Sequence, residues 1–246
     1  MPSSPYARPR FLPAGDTALV VEFGDRVDRE LSDRVLDLCA RVRAASIPGV
    51  IATVPTYRSL MVHYDPLTTE SASLVAAIEA LVDQPGAGRL QAKLWRIPAC
   101  YAPRHAPDLD EVAQRTGLSA DEIVRLHAEI CFHVYMVGFA PGFPYLGDLP
   151  EALALPRRKD PRVKVPAGSI AIAVGQTAIY PVESPGGWHL IGATPLRLFD
   201  AQAAQPALLN PGDKVRFDPI SASEFDSIAS AVAGGTYRVA CETIAA

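Results

Sequence analysis

The chain has 246 residues, of which 49% are hydrophobic and 20% are charged, so disordered and fibrous classes are excluded and a folded core is expected. A formal net charge of -4 excludes a general binder of nucleic acid or anionic membranes, because such binding needs a broad positive potential. Neither a secretion signal nor an apolar run of about 18 to 20 residues is recognisable, so we expect a cytoplasmic protein.

The hydrophobic pattern of the first part of the chain predicts the order β-α-β-β-α. A strand is expected at 18–23, a helix at 28–45, strands at 50–54 and 60–64, and a helix at 70–82. This order is typical of a split βαβ sandwich, in which both helices cover one face of a sheet.

The segment 84–88 is the predicted domain boundary, because it has three helix breakers in five positions. It predicts an α+β domain over residues 1–88 and a mainly β domain over residues 89–246. Both lengths are ordinary for a domain.

Two helices are expected early in the second domain, because Asp108 with Glu111 and Ser119 with Glu122 have the spacing of capping boxes. Short strands then alternate with turn residues, which is typical of a closed or nearly closed barrel. A helix that begins at Ser221 and a last strand follow. The strands are expected at 90–97, 131–139, 169–174, 177–180, 189–193, 196–199 and 214–217.

The cysteines predict neither disulfides nor a zinc site. Cys39, Cys100, Cys131 and Cys241 are scattered without a C-x-x-C pair, which favours reduced thiols. Cys131 and His133 lack a second pair of ligands at suitable spacing. We therefore expect no metal on this chain.

A run of cations is the first candidate for binding chemistry. Five cationic residues occupy eight positions between prolines: Arg157, Arg158, Lys159, Arg162 and Lys164. A guanidinium held rigidly binds a carboxylate or phosphate through two hydrogen bonds. The alternative is a solvated loop, which is what a charge run most often is. The sequence leaves both interpretations open.

Glu183 and His189 are the candidates for catalysis. Glu183 lies in a turn rich in proline and glycine, close to Trp188 and His189. If it is partly buried, its pKa rises and it can act as a general base. The alternative is a carboxylate that only binds backbone N–H groups of its own turn. For His127 and His63 we expect structural roles.

Aromatic residues on a stiff glycine- and proline-rich stretch predict a contact surface. Pro141 and Pro144 each remove a backbone N–H group, so this stretch is not a phosphate-binding loop. With Pro141, the side chains of Phe139, Phe143 and Tyr145 are expected to form a protein interface or a pocket wall.

Four motifs carry a family resemblance: G-F-A-P-G-F-P-Y-L-G from 138, P-R-V-K-V-P-A-G-S from 161, Q-T-A-I-Y-P from 176 and E-S-P-G-G-W-H-L-I-G from 183. With them the chain resembles, over nearly its whole length, the family of the 5-oxoprolinase B subunit, allophanate hydrolase subunit 1 and the KipI-type inhibitors of histidine kinases. The resemblance implies a ferredoxin-like N-terminal domain and a cyclophilin-like β-barrel C-terminal domain.

The resemblance also implies a heteromeric enzyme. The protein would work with a homologous barrel protein, which is the 5-oxoprolinase C subunit or allophanate hydrolase subunit 2, and with the 5-oxoprolinase A subunit. Together they would use ATP to activate the lactam of 5-oxoproline and hydrolyse it to L-glutamate. ATP with Mg²⁺ is expected at a site shared with a partner or located on it, and no biotin is expected on this chain.

Carried onto these residues, the resemblance implies that Arg157, Arg158 and Arg162 bind a substrate carboxylate or a nucleotide phosphate. The other residues expected to line the cleft are Gln176, Tyr180, Glu183 and Trp188.

Two departures from the family pattern leave open a paralogue that acts on another substrate. The chain has C-Y-A-P-R at 100–104 where relatives tend to have C-Y-G-G-E, and Val174-Gly175 where Gly-Asn is common.

One alternative function within the family is a KipI-type inhibitor that contacts a kinase through Phe139, Phe143 and Trp188. Another is a component of a urea- or allophanate-directed amidolyase.

Overall fold

The computed structural model describes residues 6–84 and 92–244, and the chain divides into two compact units, 1–91 and 92–244. Most of the predicted boundary segment 84–88 lies outside the described residues. Among the described helices, none combines the length and the apolar character that crossing a membrane requires.

The first unit is a four-stranded antiparallel sheet in the order β1-β2-β4-β3, with two helices. Both helices pack on one face, because their apolar stripes and the inward side chains of β2 and β4 form one core cluster. The elements are β1 (Arg10–Pro13), β2 (Ala18–Glu22), α1 (Arg29–Ala45), β3 (Val50–Pro55), β4 (Ser59–Tyr64) and α2 (Ser71–Val82).

Local chemistry explains the ends of α1. The carboxylate of Asp28 accepts hydrogen bonds from the backbone N–H groups of Glu30 and Leu31 at 2.9 and 3.3 Å, and Ser46 ends the helix in the left-handed conformation. The predicted order β-α-β-β-α is confirmed, and β1 is an addition. In this edge strand only Phe11 packs on the core, so the strand has no alternating apolar pattern that the sequence could reveal. The strand is defined by its hydrogen bonds to β2.

The second unit contains a closed barrel of seven strands in the order β12-β9-β10-β7-β6-β13-β5, and β5 pairs back with β12. β14 adds to β5 outside the ring, and β8 with β11 forms a separate two-stranded ribbon. The strands are β5 (Ala92–Cys100), β6 (Phe132–Val137), β7 (Pro144–Gly147), β8 (Arg162–Val165), β9 (Ser169–Ala173), β10 (Gln176–Ile179), β11 (Ser184–Gly186), β12 (His189–Ala193), β13 (Lys214–Ile220) and β14 (Ala240–Ile244). The helices are α3 (Leu109–Thr116), α4 (Ala120–Glu129) and α5 (Ala222–Ala233).

Strand alternation gives this unit two hydrophobic clusters. Along β9, Ile170 and Ile172 belong to the main core, whereas Ala171 and Ala173 face the opposite side. The alanines leave room there for three buried rings, those of Phe143, Tyr180 and Trp188. We call this group, together with Tyr145, the aromatic cluster. It lies under the ribbon, since Val165 of β8 packs in it.

Three sequence predictions for this unit are corrected. Residues 196–199 form no strand, and only Phe199 makes an isolated bridge, with Ala207. The strands β7, β8 and β11 were not expected, because the prolines and glycines around them hide the alternating pattern. Asp108 stands before α3 but makes no side-chain capping bond, since its carboxylate binds other partners. The capping boxes at Ser119 and Ser221 are both present.

Candidate functional site

The cationic run is held against α3 by the carboxylate of Asp108, which is only 3% exposed. Arg162 binds it with two hydrogen bonds, from Nη1 to Oδ2 at 2.9 Å and from Nη2 to Oδ1 at 2.5 Å. Arg158 donates from Nη1 to Oδ1 at 3.1 Å, and the backbone N–H of Leu190 donates to Oδ2 at 2.6 Å. Four N–H donors therefore occupy one buried carboxylate, which is the arrangement that a buried charge requires.

Glu111 extends this ionic cluster along α3. Its carboxylate accepts from Arg158 at 2.7 Å and from Arg115 at 3.4 Å. Burial would raise the pKa of Glu111, but the hydrogen bond and charge of Arg158, together with smaller contributions from His189 and Arg115, hold the pKa below its ordinary value. Arg158 and Arg162, which sequence analysis assigned to the substrate, are thus occupied by protein carboxylates.

His189 is fully buried and belongs to the same cluster. Its Nε2 lies 3.0 Å from the carbonyl oxygen of Pro156, which can only accept, and 3.3 Å from Nη1 of Arg115, which can only donate. The shorter contact is a hydrogen bond when Nε2 carries the proton. Its Nδ1 has no hydrogen-bond partner and lies 3.8 Å from an oxygen of Glu111. A ring held in this way anchors the backbone of the cationic run and does not face solvent.

Glu183 lies on the surface. Its side chain is 58% exposed and forms an ion pair with Lys164 at 3.1 Å. The burial on which a general-base role depended is therefore absent, and an exposed ion pair of this kind contributes little to stability.

Arg157 differs from its neighbours. It is exposed, and its Cζ lies 6.0 Å from the centroid of the Trp188 ring. Among residues 6–84 and 92–244, no carboxylate forms an ion pair with Arg157 or with Lys159, which is also exposed. Of the three arginines of the cationic run, Arg157 is thus the one that forms no ion pair with a described carboxylate.

The aromatic cluster lies beside Arg157. Phe143 packs edge-on against Tyr180 and Trp188, with ring centroids 5.1 and 6.5 Å apart, and Tyr145 lies 6.0 Å from Trp188. Burial raises the pKa of both tyrosines, and the nearby charge of Arg157 lowers it in part. Both phenols are therefore protonated near neutral pH and can donate hydrogen bonds.

A close contact at the ribbon explains one glycine of the fourth motif. A Cβ atom at Gly186 would collide with the hydroxyl of Tyr180, so the ribbon approaches the cluster only with glycine there.

Gln176 does not join this cluster. It begins β10 and Tyr180 follows the end of that strand, so the two are separated by about 13 Å at roughly 3.3 Å per residue. The structure thus places the predicted site residues in two groups. Phe143, Tyr145, Tyr180 and Trp188 form the aromatic cluster beside Arg157. Arg158, Arg162 and His189 belong to the ionic cluster at α3.

The predicted interface is exposed only in part. Phe139 is 69% exposed at a positive φ of 70°, and Pro141 is also exposed. Phe143 is 2% exposed and lies in the aromatic cluster, and Tyr145 is half-buried. A partner can therefore reach Phe139 and Pro141 but not Phe143.

The two departures from the family pattern have local structural explanations. Arg104 binds α5, through Asp226 at 2.6 Å and the carbonyl oxygen of Ala222 at 3.1 Å. Val174 and Gly175 form the two-residue turn between β9 and β10, with φ of 45° and 75°. Positive φ at both positions is typical of a type I′ turn, in which valine is strained.

Sequence reasoning missed the ionic partners of the cationic run: Asp108 and Glu111 bind its arginines, and Arg115 binds Glu111. The spacing of Asp108 and Glu111 predicts only a helix cap. The partners lie about 50 positions away, and no local pattern reveals such a pairing.

Comparison with known proteins gives consistent matches. The family model described as carboxyltransferase domain, subdomain C and D, matches residues 9–209. The B subunit of 5-oxoprolinase from Bacillus subtilis is 37% identical over 225 residues, which cover 86% of this chain and 92% of that protein.

Two solved structures share the fold. The crystal structure of TTHA0988 superposes with a TM-score of 0.75 at 37% identity over 82% of this chain, and the match spans 40% of that longer chain. The Kluyveromyces lactis urea amidolyase superposes with a TM-score of 0.78 over 99% of this chain and 17% of that one, and at 20% identity this shows the fold alone.

Proposed function

Because the chain belongs to the family of the carboxyltransferase domain, subdomain C and D, we propose that it is the B subunit of a 5-oxoprolinase. The observation that carries this proposal is the match to the Bacillus subtilis protein, which extends over nearly the whole length of both chains. In this role the chain helps to open the lactam ring of 5-oxoproline to L-glutamate, in a cytoplasmic complex.

The finer fold assignments are part of the proposal. The order β2-α1-β3-β4-α2 is that of a ferredoxin-like unit without its last strand, and β1 takes the edge position beside β2. We assign the seven-stranded barrel to the cyclophilin-like class.

Arg157 is the residue that we assign to the substrate. 5-Oxoproline carries one carboxylate on a flat five-membered lactam ring, and an unpaired guanidinium binds a carboxylate through two parallel hydrogen bonds. The guanidinium carbon of Arg157 lies 6.0 Å from the centroid of the Trp188 ring, and the Tyr145 ring lies 6.0 Å from that of Trp188, so aromatic side chains lie close to the cation. Arg158 and Arg162 hold the segment rather than the substrate, since their guanidinium groups bind Asp108.

We propose that ATP with Mg²⁺ binds at a site shared with a partner protein of the complex or located on it. Within the described residues no group of three or more His, Cys, Asp or Glu side chains could hold a metal ion. A nucleotide-bound Mg²⁺ usually takes only one or two protein carboxylates beside phosphates and waters, so the nucleotide site stays a proposal, and we derive no phosphoryl-transfer step from it. The partners are the A subunit and the homologous barrel protein, the C subunit, which we expect to contact Phe139 and Pro141.

Reconstitution with the partner proteins tests the proposal. The complete mixture should release glutamate only when ATP, 5-oxoproline and this chain are all present. Arg157→Ala should raise KM for 5-oxoproline about 10- to 100-fold, because a charge-assisted hydrogen bond contributes about 1.5–3 kcal/mol. Lys159→Ala is the matched control, since it removes an exposed cation of the same run, and its KM should stay within about twofold of wild type. Turnover no higher than in the mixture without this chain would refute the proposal.

The kinase-inhibitor alternative receives no support from the geometry. Two of its three contact residues, Phe143 and Trp188, are 2% and 5% exposed, so a kinase helix cannot reach their rings.

A further inference from the structure

Arg157 lies between two anchored neighbours. On one side, the carbonyl oxygen of Pro156 accepts a hydrogen bond from Nε2 of His189 at 3.0 Å. On the other side, the backbone N–H of Arg158 donates to the carbonyl oxygen of Gly187 at 2.7 Å. Because a residue has only two soft backbone dihedrals, anchoring both neighbours leaves Arg157 little freedom to move its backbone.

We infer that Asp108 is a positioning residue for the carboxylate site: it holds Arg158 and Arg162, and through them it keeps Arg157 beside Trp188. This inference rests on the proposed function, in which Arg157 binds the substrate. Asp108 itself does not touch the substrate, since it is 3% exposed and four N–H groups occupy its oxygens.

The charges of the ionic cluster explain why Asp108 is needed. Three guanidinium groups, of Arg115, Arg158 and Arg162, surround two carboxylates, of Asp108 and Glu111. Neutralising Asp108 would leave a single carboxylate among three partly buried cations, which repel one another at these distances. The backbone that carries two of these cations would then move, and Arg157 would move with it.

The first test compares two neutralised carboxylates of the same barrel unit. Asp108→Asn keeps the shape of the side chain and removes its charge. Asp213→Asn is the matched control, because Asp213 is also buried, at 4% exposure, but binds the backbone of Lys93 and Asn210 and the indole of Trp95. In the complete enzyme mixture, below the unfolding temperature of both variants, Asp108→Asn should raise KM for 5-oxoproline about 10- to 100-fold and leave kcat within about twofold. Asp213→Asn should leave KM unchanged.

A double-mutant cycle separates positioning from general damage. If Asp108 acts through Arg157, adding Asp108→Asn to Arg157→Ala should raise KM no further. Independent, multiplicative effects of the two substitutions on KM would overturn the inference.

Hydrogen exchange of the full-length chain supplies a readout that needs no substrate. Amide exchange in residues 156–162 should become faster in Asp108→Asn and stay unchanged in Asp213→Asn. If Asp108→Asn does not fold, Arg162→Lys takes its place, since it keeps the charge but loses the two-point contact with Asp108. Unchanged exchange overturns the inference. Faster exchange together with a KM that does not depend on Arg157 instead overturns the proposed role of Arg157 in substrate binding.

Discussion

His127 should make the barrel unit sensitive to acid. This residue of α4 is fully buried, where its Nδ1 accepts a hydrogen bond from the hydroxyl of Tyr101 at 2.8 Å. Its Nε2 donates to the hydroxyl oxygen of Thr177 at 3.0 Å, since that hydroxyl donates its own proton to the carbonyl oxygen of Ala171 at 3.1 Å. The ring also stacks on Phe217, with centroids 4.6 Å apart. These contacts are satisfied by the neutral imidazole, which confirms the structural role expected from the sequence.

The magnitude follows from the pKa. Burial lowers the pKa of His127 from 6.5 to about 3. Between these values the unfolded chain binds a proton that the folded chain does not, so the free energy of unfolding falls as the pH falls below 6.5. At about 1.4 kcal/mol per pH unit, lowering the pH to about 4.5 should cost roughly 2–3 kcal/mol through this residue alone.

Urea denaturation at about pH 7.5 and pH 4.5 measures this effect. Trp95 and Trp188 both lie in the barrel unit, so tryptophan fluorescence follows the unfolding of that unit. His127→Gln removes the titrating group, and its loss of stability between the two pH values should be smaller than that of wild type by roughly 2–3 kcal/mol. His63→Gln, in the first unit, should leave the response unchanged. If His127→Gln loses as much stability in acid as wild type does, the reasoning is wrong.

Three further substitutions test the backbone and capping arguments, with the midpoint of thermal unfolding as the measurement. Val174→Asn should raise it by about 2–4 °C, because asparagine tolerates the positive φ that strains valine, and a lower midpoint would contradict the turn assignment. Gly168→Ala should lower it by more than about 2 °C, since φ is 82° and the new Cβ would collide with the carbonyl oxygen of Thr194. Ser119→Ala should cost about 1 kcal/mol through loss of the capping box with Glu122, and an unchanged midpoint would show that this cap contributes nothing.

Local patterns determined most of the secondary structure. The apolar stripe of α1 and the capping boxes of α4 and α5 are interactions within a few residues, so they can be recognised in the sequence. The barrel strands other than β7 also follow from local spacing. The sequence motifs placed the candidate site at the cationic run and the turn that contains Trp188.

The tertiary structure decided which of these residues are accessible and which are paired. Arg157, Arg158 and Arg162 look equivalent in the sequence, but Asp108 binds the last two and leaves the first exposed. His189 likewise became an anchor for a carbonyl group because barrel closure buries it. Burial and ion pairing depend on groups that are distant along the chain, and the parallel pairing of β5 with β13 joins segments more than a hundred positions apart. Such contacts form only when the barrel closes, so the sequence alone could name the charged residues but not their partners.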